Sequence, residues 1–111
     1  MIEKRIIDYL AEAMNLPVYA EIPVQNSGEF FVVEKTGSYR ENLLDSATMV
    51  VQSYADSKYR AAQLNDQMKE AMYEMVFQEN ISDVRLNSDY DFTDTATKRY
   101  RYQAVFVVTY Y

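Results

Sequence analysis

Five consecutive residues, Asn87-Ser88-Asp89-Tyr90-Asp91, set oxygen donors at alternate positions, the arrangement by which a loop surrounds a hard cation such as calcium. The pattern then breaks. Its sixth position is Phe92, where a sharp turn needs glycine, and its twelfth is Lys98, where a bidentate glutamate belongs. No metal site is expected, and these Asp and Asn residues read as turn formers in a loop between two strands. Carboxylate pairs such as Glu29 with Glu34, or Asp89 with Asp91, could move protons only if burial drove their pKa values apart. They lie beside turns or at strand ends, so solvated surface is the expectation. Ser27-Gly28 and Gly37-Ser38 read as turn dipeptides, and two glycines in the whole chain cannot build a phosphate cradle. Asn80-Ile81-Ser82 matches a glycosylation acceptor, which carries no weight without a secretory signal.

The rest of the composition narrows the chemistry further. The chain has 111 residues, no cysteine and no histidine. Disulfides, thiolate nucleophiles, thiolate metal sites and the commonest general base are all excluded. No catalytic residue and no cofactor site is therefore assigned. A formal charge of -6 argues against nucleic acid as a sequence-specific ligand, because phosphate binding needs clustered Lys and Arg. The one basic cluster, Lys98-Arg99-Arg101, is expected to face Asp89, Asp91 and Asp94 as a neutralised junction between loop and strand. Lys4 and Arg5 are followed by Asp8 and Glu12, so no signal peptide is expected there. No run approaches the roughly 20 apolar residues of a membrane span, and no membrane partner is expected. Eleven tyrosines exceed what one small core can bury, and each needs its hydroxyl wet or bonded. They favour an interaction surface over a catalytic one, against the plainer reading of a half-exposed sheet face with tyrosines paired across strands.

The elements that must position these residues follow from periodicity. Ile2, Ile6, Leu10 and Ala13 or Met14 form one stripe of an amphipathic helix ending near Asn15, ahead of Pro17. Val18 to Ile22 reads as a short edge strand between two prolines. A turn at Gln25-Asn26-Ser27-Gly28 leads to a strand over Glu29 to Lys35 and a loop beginning at Thr36. Ser46 to Tyr54 reads as the third strand. Asp56-Ser57 supplies an N-cap for a long helix whose stripe Ala61, Leu64, Met68, Met72 and Met75 reads as core rather than as a partner groove. Ile81 to Leu86 reads as a fourth strand, with Ile81 or Val84 inward, and Asn87 to Lys98 as a long exposed excursion. The closing strand, Tyr100 to Tyr111, turns apolar on both parities and is expected to become covered on both faces, so that a tag or truncation there should be damaging. The sum is one α+β domain, residues 1–111: two helices against a mostly antiparallel sheet of about five strands, in the order α-β-β-β-α-β-β.

In that order, several segments resemble the tail terminator, or tail completion, proteins of long-tailed phages and prophages, a family of minor tail and minor capsid proteins. The resemblance rests on the helix from Met1 to Leu10, the strand from Pro17 to Pro23, and Phe30 to Gly37 with the charged loop after it. It continues through Val51 to Ala55 leading into the long helix, then Val84 to Asp94 and Tyr100 to Tyr110. The resemblance implies a subunit that closes into a ring, typically a hexamer, on the finished tail tube. There it stops tube growth and presents a surface to the head connector. Tail-tube and connector proteins would be its partners, with assembly in the bacterial host cytoplasm and a final place in the virion tail. An isolated subunit can stay monomeric until the tube end templates the ring. Another head-tail stopper, or a small ligand-binding regulatory module with a concave apolar pocket, are the alternatives. The residues expected at interfaces come from this chain alone: Thr36, Tyr39, Arg40, Glu41 and Asn42 in the first loop, Asp91, Asp94 and Lys98 in the second, and exposed Arg99, Arg101 and Tyr102.

Overall fold

The computed structural model describes residues 1–24, 27–97 and 99–111. The fold is α+β, two helices on one face of a five-stranded mixed sheet, in the order expected: α1 (Ile2–Met14), β1 (Val18–Tyr19), β2 (Phe30–Glu41), β3 (Leu44–Ala55), α2 (Lys58–Glu74), β4 (Ile81–Asp91) and β5 (Tyr100–Tyr110). The strands lie in the order β1-β2-β3-β5-β4, antiparallel throughout except that β1 runs parallel to β2. No helix among the described residues is long and apolar enough to cross a membrane.

Helix α1 buries Ile2, Ile6 and Leu10, while Ala13 is exposed and Met14 is half-buried. Asn15 ends it in the left-handed conformation that Asn tolerates. Ser57 caps α2 by accepting the Arg60 N–H at 3.1 Å, and the stripe Ala61, Leu64, Met68, Met72 and Met75 is fully buried. These side chains meet Phe31, Val33, Met49, Val51, Ala104, Phe106 and Val108 from the sheet, so the core lies between the helices and the strands that alternate toward them.

Several strand limits differ from the periodic reading. The strand after Pro17 is two residues long, because it pairs only at Val18 with Phe31 and Tyr19 with Val32. Of the expected loop Thr36 to Asn42, only Asn42 lies in a turn. β2 continues through Thr36 to Glu41, with a bulge at Thr36, and is held by backbone pairing to β3 rather than by an apolar stripe. Gly37-Ser38 is accordingly strand, not turn. The reversal comes at Asn42 and Leu43, both at positive φ, 52° and 67°, as in a two-residue hairpin turn whose twist matches its strands. β4 likewise runs on through Asp91, so the connection to β5 begins only at Phe92 and is narrowed by an Asp94–Arg99 bridge. Ile81, Val84 and Leu86 all reach the core, because the bulge between Ile81 and Asp83 changes the parity. β5 is an interior strand between β3 and β4, but only its Ala104, Phe106, Val108 face is buried; Val105 and Val107 are half-buried, since no helix covers the other side. Of the expected Gln25 to Gly28 turn, Gln25 and Asn26 lie outside the described residues.

Candidate interaction surface

The residues singled out for contact fall at two opposite ends of the sheet. Thr36, Tyr39, Arg40, Glu41 and Asn42 belong to the β2–β3 hairpin. Asp91, Asp94, Arg99 and Arg101 gather at the other end, where β4 and β5 meet. A 12-residue strand separates the two ends, about 40 Å at the usual rise, in a molecule whose long axis measures 44 Å. Lys98 lies outside the described residues.

At the hairpin end, every residue from Glu34 to Glu41 is exposed on both parities, although β3 beside it is largely buried. Arg40 grips Asp45 with two hydrogen bonds, Nε to Oδ1 at 2.7 Å and Nη2 to Oδ2 at 3.0 Å, and this bond holds the Asp45 carboxyl below its ordinary pKa. Tyr39 is 57% exposed and Leu43, at the tip, 84%. Leu43 was not among the expected contact residues. Its signal in the sequence, an apolar residue after Asn inside a polar run, becomes meaningful only once the turn is placed there.

At the other end, the arginines expected to be exposed are built into the sheet. Arg99 donates to the carbonyls of Gly28 at 2.7 Å and Ala55 at 3.1 Å and to Asp56 at 3.1 Å, and its side chain is only 16% exposed. Its guanidinium lies over Phe30 and Tyr54, rings stacked 4.5 Å apart. Arg101 donates from Nε to the Phe92 carbonyl and from Nη1 to the Tyr54 hydroxyl. The Tyr54 hydroxyl donates to Gln52, Gln52 donates to Gln103, and Gln103 donates to Tyr90, so a directed polar row crosses β3, β5 and β4 on the face opposite the helices, where Phe30, Val32 and Tyr54 form a small buried cluster. Tyr102 is half-buried against the core, because its parity in β5 points it toward α2. Of the three acids expected beside the basic cluster, Arg99 and Arg101 therefore have only Asp94 next to them, and not Asp89 or Asp91.

Those two aspartates do something else. Separated by two positions on β4, they share the helix-covered face and clamp α2: Asp89 accepts from Asn65 at 3.0 Å and Lys69 at 2.8 Å, and Asp91 pairs with Lys58 at 3.0 Å. Asp91 also accepts the Thr93 hydroxyl and N–H, and these bonds, the hydroxyl first, then Lys58, lower its pKa to about 2. The run that mimicked a calcium loop is thus strand. Among the described residues no group of three or more acidic side chains is placed to hold a metal ion. Glu29 is tied to Arg60 at 2.6 Å, while Glu34 is exposed with no such partner among the described residues.

One hollow on the surface, about 570 Å³, is lined by Arg5, Asp8, Tyr9, Glu12, Ala13 and Gln78. A smaller one of about 270 Å³ lies between Ile22, Tyr54, Asp94, Thr97, Arg99 and Arg101. What fold and surface define together is an α+β subunit with a one-sided helix layer and exposed features at the two ends of an elongated sheet. No protein-family model matches the sequence, and no curated protein is similar to it.

Proposed function

We propose that this chain is a structural, non-catalytic subunit of a phage or prophage tail: a terminator that sits as a ring, without a cofactor, on the tube end, stops tube polymerisation and offers the head connector its docking surface. The observation that carries this reading is the hairpin tip. Leu43 is exposed by 84% and held at φ 67°, a conformation that costs an L-residue energy and that glycine would adopt freely. An apolar side chain held out of the fold at the expense of backbone strain fits a residue that is covered in an assembly. The second exposed end, some 40 Å away, supplies the opposite face that a part joining two different neighbours needs. A charge of -6 suits a conduit, because acidic walls do not retain passing DNA. The hollows favour this reading over a ligand-binding module, whose pocket would be apolar and enclosed rather than lined by Arg5, Asp8 and Glu12. In this reading the protein gathers in the host cytoplasm and ends in the virion tail.

Electron microscopy of polymerising tail-tube protein, with and without this chain, tests the proposal. Added chain should shorten the tubes and leave ring density at one end, and Leu43→Ser should weaken that capping. Tubes of unchanged length and bare ends would overturn it.

A further inference from the structure

Neither long border of the sheet is closed. On one side β1 covers β2 only at Phe31 and Val32, so Glu34–Glu41 has β3 on one flank and no strand among the described residues on the other. On the far side β4 pairs, among the described residues, with β5 alone. The ladder fixes which backbone groups point outward. A two-residue turn makes Glu41 and Leu44 the hydrogen-bonded closing pair, so alternation turns the N–H and C=O of Arg40 and Ser38 away from β3. Ahead of the bulge, Phe31 donates to the Pro17 carbonyl on the β1 side, and the same alternation sends Lys35 outward. All three are helix-face residues. β4 runs opposite to β2 and is open on the opposite flank, so its helix-face residues Val84, Leu86 and Asp89 also direct backbone groups outward.

Such edges are templates for another strand. The four antiparallel strands are an even number, so β2 and β4 point in opposite directions. A second copy displaced sideways, without being turned over, then brings its β4 antiparallel to β2, with the outward sets matched and both helix layers on one side. Charge agrees with this on the helix face, where β2 carries Lys35 and Arg40 and β4 carries Asp89 and Asp91, each also paired within its own chain. On the opposite face β2 carries Glu34 and Glu41, and β4 carries Arg85 beside Asp83, 3.9 Å away, so Arg85 is the cation that those glutamates would meet. Pairing β2 with another β2 would instead set like charges together.

We propose that the free segment Glu34–Glu41 of one copy adds as a strand to the open edge of β4 in the next, joining copies head to tail in one continuous sheet. The inference rests on the ring reading for its partner, a second copy, and gives that ring its lateral contact. β1 acts as a stop that confines the added strand to the outer half of β2.

Sedimentation of the full chain up to about 1 mM, a concentration at which a contact of about -4 kcal/mol is half-formed, tests it directly. Wild type should self-associate. Ser38→Pro removes only an outward N–H, so it should keep the wild-type circular dichroism and stay monomeric at concentrations at least about tenfold higher. Arg85→Glu should weaken association by a similar factor, and adding Glu34→Arg with Glu41→Arg should restore it. Should Ser38→Pro fail to fold, the charge reversals, all at exposed side chains, decide alone. A monomeric wild type at about 1 mM, variants that associate like wild type, or no rescue would each overturn the edge pairing. If those variants still cap tubes, the ring reading stands without this contact; if wild type associates through its edges but caps nothing, the contact stands without the tail.

Discussion

Leu43 shows how one residue can trade stability for exposure. A left-handed backbone crowds its Cβ against the following carbonyl, and no burial offsets the cost at a position 84% exposed. Leu43→Gly should therefore raise the unfolding free energy by about 1 kcal/mol, read as a higher urea midpoint with unchanged slope. A midpoint equal to or below wild type would mean that the turn is not strained. Arg99 makes the opposite trade. Its planar fork reaches two carbonyls and Asp56 from a position between β3, β5 and the Gly28 turn, while stacking on Phe30. The sequence marks Arg99 only as one member of a basic cluster beside acids. That it is a structural bolt follows from Gly28 and Ala55 being brought to it from 71 and 44 residues away.

At the level of elements, the helices were legible and the outer halves of the strands were not. α1 and α2 bury stripes spaced by three or four, and that spacing is carried by side-chain type alone. Thr36 to Glu41 and Asn87 to Asp91 are polar on both parities, so no alternation marks them as strand; cross-strand backbone bonds with β3 and β5 do. Asp89 acquires its role in the same way, as an anchor for α2 rather than a turn former, while Asp91 is both, pairing with Lys58 and accepting the Thr93 N–H as the turn reading expected. Replacing Asp89 by Ala strands the Asn65 amide, in a residue 1% exposed, and should cost about 1–3 kcal/mol in chemical denaturation. Loss of less than about 0.5 kcal/mol, the range of ordinary surface changes, would show that the clamp does not hold α2.

For the whole molecule, the carboxylates couple stability to pH. Asp45, Asp89, Asp91 and Asp94 all lie below the ordinary value of 3.8, through hydrogen bonds from Arg40, Lys69, Thr93 and Thr97 respectively, and Asp91 falls to about 2. A carboxyl whose folded pKa is depressed adds stability that is complete above its unfolded pKa and disappears as pH drops through the folded one. The urea midpoint should thus hold steady from neutral pH to about 5 and fall between about 4 and 2, with a shallower fall in Asp91→Asn. An acid limb that is identical in that variant would remove Asp91 from the account. Sequence by itself determined the two helices, the element order, the Met and Ile core and the lack of thiol and imidazole chemistry, because these depend on residue type and local period. Tertiary structure decided how far the polar strands run, where Arg99, Arg101 and Tyr102 point, and which edges stay open. Those outcomes depend on backbone bonds and contacts between residues distant in the chain, which no local pattern encodes.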